Sequence, residues 1–282
     1  MPLDLTTVGK TSAVHTLAYD WKTLATYALG VGAKKDELAY LYEGTPDGMK
    51  VLPTFAVIPA QAAVFESLSA TGGDLAMIVH GGQTVRVHGQ ISESGTLETT
   101  GTLRAIYDLK KFAQVIIDTR TTQADKLVYE TTWSIIFRGA GNFGGPRPVS
   151  EDTPSVPKDR PADFRIEEST SPEQALLYRI SGDQNPLHAD PAFAEKVGFP
   201  QGPILHGLCT FGYLGRAAVR YAAKGDPSKI RVIAAQFRRP VWPADTFIIE
   251  GFDLGDDKFA FTTSVKERNE AVLGGAYAVL AP

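Results

Sequence analysis

His206-Gly207-Leu208-Cys209-Thr210-Phe211-Gly212-Tyr213-Leu214-Gly215-Arg216-Ala217-Ala218-Val219 is the stretch whose reading decides the fold. The pattern predicts a long helix from about His206 to Lys224, stopped by Gly225. Over its first three turns it has almost no polar face, so it belongs inside the protein, wrapped by a sheet. Gly207, Gly212 and Gly215 each cost roughly 1 kcal/mol of helix propensity against Ala. Close approach of strand backbones accounts for them better than propensity does. Cys209, on the same helix, reads as core and not as a nucleophile.

Working outward, strands are predicted after this helix near Lys229–Arg239, Asp245–Leu254, Lys258–Arg268 and Ala271–Leu280. Before it, Ser171-Pro172-Glu173-Gln174 opens a helix that stops near Gly182. Asp190-Pro191 starts a second short helix, ending at Gly198. Further upstream, Gly139–Pro161 is too rich in Gly and Pro for a helix or a central strand. Beyond that break the order recurs. A helix runs from Asp20-Trp21 to Leu29, an apolar stretch covers Val51–Ile58, and a short helix covers about Ala60–Ala70. Strand-like runs then fall at Gln83–Ile91, Gly95–Asp108, Phe112–Thr122 and Lys126–Arg138. Tyr27 matches Tyr178 at an offset of 151, and Pro53 matches Pro203 at 150.

Each half therefore reads as helix, irregular segment, helix and four-stranded meander, the product of a duplication. A meander curled round one buried helix is the hotdog arrangement. The expected fold is α+β, a double hotdog with two antiparallel sheets each wrapped round a central helix. Its expected parts are an N-terminal hotdog at 1–140, a linker at 141–161 and a C-terminal hotdog at 162–282.

Composition narrows the function. The chain has 282 residues, 28 basic against 32 acidic, for a net charge of −4 and a single cysteine. That balance is too mild to imply a nucleic-acid partner or an anionic membrane surface. One cysteine excludes an internal disulfide framework and a cysteine-rich zinc site. The N-terminus, Met1-Pro2-Leu3-Asp4, shows no secretory signal. Val51–Phe65 is too short and too broken to span a bilayer. A cytoplasmic enzyme is the expectation.

The polar cluster that stands out is Tyr178-Arg179-Ile180-Ser181-Gly182-Asp183-Gln184-Asn185-Pro186-Leu187-His188-Ala189-Asp190. Pro186 rules out a continuous helix, so Asp183 and His188 come from a turn after Gly182. A carboxylate and an imidazole pointing at one spot can act as general acid and base, with Asn185 holding either of them or a water. Taken alone, such a turn reads first as Asp183 and Asn185 satisfying turn amides, with His188 packed at the surface. Gly202-Pro203-Ile204-Leu205-His206-Gly207 shifts the balance, because it enters a buried helix whose free amides welcome developing negative charge. Together these groups supply what addition of water next to a carbonyl requires.

With Ala194 following, the motif resembles the hydratase 2 signature of the MaoC-like (R)-specific enoyl-CoA hydratases. Val79-His80-Gly81-Gly82-Gln83, Ser94-Gly95-Thr96-Leu97 and Gly141-Asn142-Phe143-Gly144-Gly145 are similar to the two-hotdog members, including the hydratase unit of peroxisomal multifunctional enzyme type 2. Gly82 departs from the pattern, since those relatives usually carry Glu there. The resemblance implies reversible hydration of a trans-2-enoyl-CoA to an (R)-3-hydroxyacyl-CoA. In it Asp183 and His188 handle water and proton, Asn185 assists, and the Gly207 amide polarises the thioester carbonyl. It implies no metal and no cofactor, CoA being part of the substrate, and a homodimer. At offsets of 150 or 151 the first half has Ala33 or Gly32 for Asp183, and Leu38 or Glu37 for His188. Ala56 stands for His206. One active site per chain follows, with the first half able to open an apolar acyl tunnel.

Other signals weigh less. Gly139-Ala140-Gly141-Asn142-Phe143-Gly144 satisfies G-x-G-x-x-G but runs into Pro146 and Pro148, not into a helix. His80 and His88 read as structural. A metal site from Asp183, His188 and His206 lacks an established ligand spacing, and His206 reads as a hydrogen-bonding residue beside the substrate. Arg238 and Arg239, in Phe237-Arg238-Arg239-Pro240, are either rim cations or contacts to CoA phosphates. Arg231 is a weaker candidate. The alternatives are a 3-hydroxyacyl dehydratase of fatty-acid or polyketide synthesis, a hotdog thioesterase, and a non-catalytic acyl-CoA-binding protein.

Overall fold

Ten strands join edge to edge in one antiparallel sheet in the computed structural model, which describes residues 2–149 and 152–282. Met1, and Ser150 and Glu151 of the expected linker, lie outside the described residues. The first half holds β1 (His15–Tyr19), α1 (Trp21–Gly30), α2 (Val57–Ala70), β2 (Ile78–Val87), β3 (Gly95–Asp108), β4 (Phe112–Gln123) and β5 (Lys126–Arg138). The second holds β6 (Phe164–Ser169), α3 (Gln174–Arg179), α4 (Pro191–Lys196) and α5 (Gly207–Ala217), which runs on through a π turn at Ala218–Ala222. It ends with β7 (Ile230–Phe237), β8 (Thr246–Asp253), β9 (Lys258–Val265) and β10 (Glu270–Leu280). This is an α+β double hotdog. No described helix is long and apolar enough to cross a membrane.

Strand order is β1-β3-β4-β5-β2-β7-β10-β9-β8-β6, a palindrome about the β2·β7 pairing. The duplication can be read from that pairing's register. Thr84 lies opposite Ala234, 150 residues away, while Gly82 faces Gln236 and Arg86 faces Val232. Adding 150 to one residue of either outer pair and subtracting it from the other turns that pair into its fellow. A pseudo-twofold axis therefore passes between Thr84 and Ala234, as in an isologous dimer interface.

The sheet differs from the expected meanders. Only β3-β4-β5 and β8-β9-β10 run in sequence; β2 crosses to the far side of β5, and β1 and β6 take the outer edges. Residues 88–94 can span up to about 24 Å, enough for the roughly 14 Å from β2 across to β3. The edge strands β1 and β6 escape sequence reading because they are short and half exposed. Helix α2 starts at Val57, earlier than expected, with Pro59 in its first turn where no amide donor is needed. Helix α3 starts at Gln174, two residues after Pro172; Ser171 Oγ still accepts from the Glu173 amide at 3.0 Å.

Helix α5 is the buried helix of the second half, with every residue from Leu208 to Ala217 shielded from solvent. Its glycines do not face strand backbones. Gly212 meets the Val31 side chain, Gly215 meets Thr54, and Gly207 meets the Phe237 ring. The first two contacts come from the other half. Polar ties reinforce them: Cys209 Sγ donates to the Gly30 carbonyl at 3.2 Å, and Gln174 Nε2 donates to the carbonyls of Leu29 and Gly30 at 3.1 and 2.7 Å. The bonds to Gly30 reach a carbonyl at the very end of α1, past the last turn of its own ladder. Burial pushes the Cys209 thiol well above its usual range, in keeping with a core role.

Two ionic anchors complete the frame. The G-x-G-x-x-G loop holds no nucleotide phosphate geometry; it wraps the chain's own anion. Asp108 accepts from the amides of Lys110, Asn142 and Gly144 at 2.8, 2.9 and 2.8 Å, and these amides hold its carboxyl below the usual range. At the far end of α5, Arg216 is only 5% exposed. It donates to Glu37, to Glu168 at 2.8 Å and to the Val31 carbonyl at 3.2 Å. Removing Glu37 leaves this buried guanidinium with Glu168 as its one remaining carboxylate. Glu37→Ala is expected to cost about 3 kcal/mol of stability, seen as a lower urea midpoint with an unchanged slope.

Candidate active site

Helix α3 gives way at Gly182, whose φ of +142° only glycine tolerates well, and Asp183 starts a tight turn. Asp183 Oδ1 accepts from the Asn185 amide at 3.2 Å, and Asn185 Oδ1 accepts from the Leu187 amide at 3.0 Å. The turn-capping reading of these two residues is thus correct in itself. Asn185 is exposed and spends its side-chain oxygen on that cap. Pro186–His188 forms a single 3-10 turn, and Asp190 then caps α4 through the Ala192 amide at 2.9 Å. This sequence of caps carries His188 back into the protein, where it is 8% exposed, and not to the surface.

There His188 stacks on His206, ring centroids 3.7 Å apart and planes 27° apart. Donor roles follow from the partners, since a carbonyl only accepts. His188 Nδ1–H donates to the Ile204 carbonyl at 2.8 Å, which leaves Nε2 with its lone pair free. His206 Nε2–H donates to the Asp183 carbonyl at 3.1 Å, tying the residue before α5 to the loop after α3. Its Nδ1 is buried without a partner among the described residues. Burial lowers the pKa of His188, against the Asp183 charge, which raises it. Burial, and then the neighbouring His188, hold His206 well below its usual value. Both rings are neutral near pH 7.

One side-chain donor atom each from Asp183, His188 and His206 lies within 4.8 Å of the others. A zinc ion would have to sit in the plane of each imidazole, about 2.0–2.1 Å from nitrogen. Two stacked rings in nearly parallel planes do not meet at such a point. The trio suits proton transfer better than metal ligation.

Gly207 is the first residue of α5, where a backbone amide has no acceptor within its own helix. The Phe237 ring lies against it, 3.2–3.5 Å from where a Cβ would stand. Phe237 in turn meets His80 edge-on at 4.8 Å, and His80 stacks on Trp133 at 5.0 Å. Burial pushes His80 down to about 4, so this wall from the first half is uncharged. Sequence reading assigned none of the three to the site. Their closeness is created by the β2·β7 seam, which leaves no local signal. His88 instead pairs with Glu130 at 2.8 Å on an exposed face.

Arg238 and Arg239 are exposed and line a groove of about 700 Å³ with Arg268, Asn269, Glu270 and Ala271. Arg238 lies over Gly274 and donates to Gln236; Arg239 Nε is 3.3 Å from Glu270. Arg268 is committed to Asp245 through two bonds of 2.7 and 2.8 Å. Arg231 bonds the Ser228 carbonyl away from this groove.

Among the described residues, the first-half positions matching Asp183 and His188 hold no such pair. Ala33 and Ala56 are buried, Leu38 is exposed, and Glu37 serves Arg216. Leu52, Phe55, Ala56, Val57 and Ala60 are apolar, as a tunnel wall would be, and are packed into the core.

Comparison with known proteins agrees with this architecture. Residues 17–139 match the family described as MFE-2 hydratase 2 N-terminal domain, and residues 154–274 match the MaoC like domain. The peroxisomal enoyl-CoA hydratase 2 of Arabidopsis thaliana is 36% identical over 277 residues, covering 91% of this chain and 89% of that protein. The 3-hydroxyacyl-thioester dehydratase Y of Mycobacterium tuberculosis is 38% identical over 255 residues, covering 87% and 86%. Among solved structures, a MaoC-like dehydratase from Phytophthora capsici superposes with a TM-score of 0.89 at 30% identity, covering 99% of this chain and 98% of that one. With such identity across nearly its whole length, the chain belongs to the MaoC-like enoyl-CoA hydratase 2 family.

Proposed function

We propose that the chain catalyses reversible hydration of a trans-2-enoyl-CoA to an (R)-3-hydroxyacyl-CoA, at one active site carried by the second half. The observation that carries this reading is the meeting of Asp183 with a neutral His188, its Nε2 free, beside the start of a buried helix. Water held between the carboxylate and Nε2 gives up a proton as its oxygen bonds to the β-carbon. The α-carbon receives a proton, and the double bond between them is lost. Negative charge passing through the thioester oxygen is met by the Gly207 amide, a kind of donor that contributes about 3–4 kcal/mol in other enzymes. No electrons enter or leave, so the reaction needs no redox cofactor, and CoA is part of the substrate. Asn185 contributes by holding the turn. Arg238 and Arg239, at the groove, are the proposed partners of the CoA phosphates.

Run in reverse, the same groups expel water, and the mycobacterial relative named a dehydratase favours that second reading of the direction. Following enoyl-CoA absorbance from both sides separates them by their relative rates, and chiral analysis of the product tests the (R) assignment.

Asp183→Asn is expected to lower kcat by about 10²–10⁴-fold, the usual span for a lost acid-base group, with the fold intact by circular dichroism. Full activity in that variant would sink the reading. Because burial depresses His188 below 6.5, the base stays neutral down to that lowered value and protonates only beneath it. A pH–rate profile should therefore hold its plateau through pH 6.5 and fall only at a lower pH, where His188 takes up its proton. Arg238→Glu and Arg239→Glu are each expected to raise KM for CoA thioesters severalfold, while leaving KM for a truncated thioester without the nucleotide unchanged.

A further inference from the structure

Gly32 and Gly182 are 150 residues apart, follow α1 and α3, and both have positive φ, +84° and +142°. At each, a side chain from the other half's central helix fills the space a Cβ would take: the Tyr213 ring at Gly32, and Gln61 Oε1, 2.6 Å away, at Gly182. Each half's loop is thus propped by its neighbour. The Tyr213 prop is polar-complete, its hydroxyl donating to Gln174 Oε1 at 3.0 Å. The Gln61 prop is not. It stands on a helix whose surrounding buried positions are Val57, Ile58, Ala60, Ala63 and Val64. Its Nε2 is buried with no acceptor among the described residues. At the equivalent place 150 residues on, α5 carries Phe211, fully buried.

Buried polar groups without partners are rare in folded proteins. Of the eleven such side-chain atoms among the described residues, five are Gln61 Nε2, Tyr178 Oη, Arg179 Nε, Ser181 Oγ and His206 Nδ1. These five sit on the segment leading into Asp183, on the ring stacked against His188, or on Gln61 itself. An amide N–H left unpaired in a core helix lowers stability, and a residue serving only to fill space would not retain it.

We propose that Gln61 is a positioning residue for the second half's active site, supplied by the first half. Its oxygen seats Gly182 and so sets where the turn carrying Asp183 begins, and its Nε2–H, unpaired in this structure, is the donor left for the water or substrate on which Asp183 acts. This rests on the hydratase reading above and adds to it a chemical role for the half that lacks the acid-base pair.

The test is Gln61→Met, which keeps length and bulk without the donor, beside Gln61→Ala, Asp183→Asn and the Asp183→Asn/Gln61→Met double variant. Gln61→Met is expected to lower kcat about tenfold, with KM within threefold of wild type and an unfolding temperature unchanged or higher. In the Asp183→Asn background the same change should cost nothing further, because Gln61 acts through Asp183. Unchanged kcat in Gln61→Met, an unfolding temperature that falls with kcat, or losses that multiply in the double variant would each overturn the proposal. Full activity in Asp183→Asn would instead overturn the hydratase reading itself.

Discussion

The antiparallel pairing of β2 with β7 is the constraint on which the remaining architecture depends. Its register sets Thr84 against Ala234 and so places the pseudo-twofold axis. Once the axis is placed, each half's loop after its first helix must lie on the other half's central helix. Val31 falls against Gly212, Tyr213 against Gly32, and Gln61 against Gly182. A slip of one residue along β2 would turn every side chain of that strand to the other face. It would also take His80 and Trp133 away from Phe237, and with them the wall beside Gly207. The Asp183–His188 loop belongs to the second half by sequence, but its position is fixed by the seam.

Symmetry in the backbone coexists with asymmetry in the side chains. On one side the position matching Asp183 is Ala33, and Glu37, at the place of His188, is given to Arg216 as part of a buried ionic joint. On the other side two imidazoles are stacked and buried, and burial keeps both neutral. Two cations at 3.7 Å would repel strongly in such surroundings. The stack therefore permits at most one proton transfer partner to be charged at a time. In each ring one nitrogen is held by a backbone carbonyl, Nδ1 of His188 by Ile204 and Nε2 of His206 by Asp183, and the other nitrogen is left without a partner among the described residues.

Much of this could be read along the chain. The apolar run of α5, the alternation of β3, β4 and β5, and the Asp183–His188 turn are local patterns, so local reading finds them. Features set by distant partners are the ones it misses. Nothing near Ile78–Val87 says that this strand joins β7, and the half-exposed pattern of Phe164–Ser169 looks like a loop. The glycines of α5 announced close contact, but their partners, Val31 and Thr54, lie in the other half. Asn185 shows the limit differently: its type fits assistance at the site, while its place in the turn commits its oxygen to the Leu187 amide. Arg239 looks like a free cation in sequence, and Glu270, the first residue of β10, partly neutralises it.

By drawing the amides of Asn142 and Gly144 back onto the end of β3, Asp108 shortens the free span between the two halves. A shorter covalent tether raises the effective concentration of one half around the other, so the seam closes by an intramolecular encounter. A pair of separate identical subunits would carry every substitution twice, once in each loop environment. Joined in one chain, the halves escape that compromise. Asp183 can stand where its counterpart is Ala33, and Gln61 where its counterpart is Phe211, so each residue answers to a single environment.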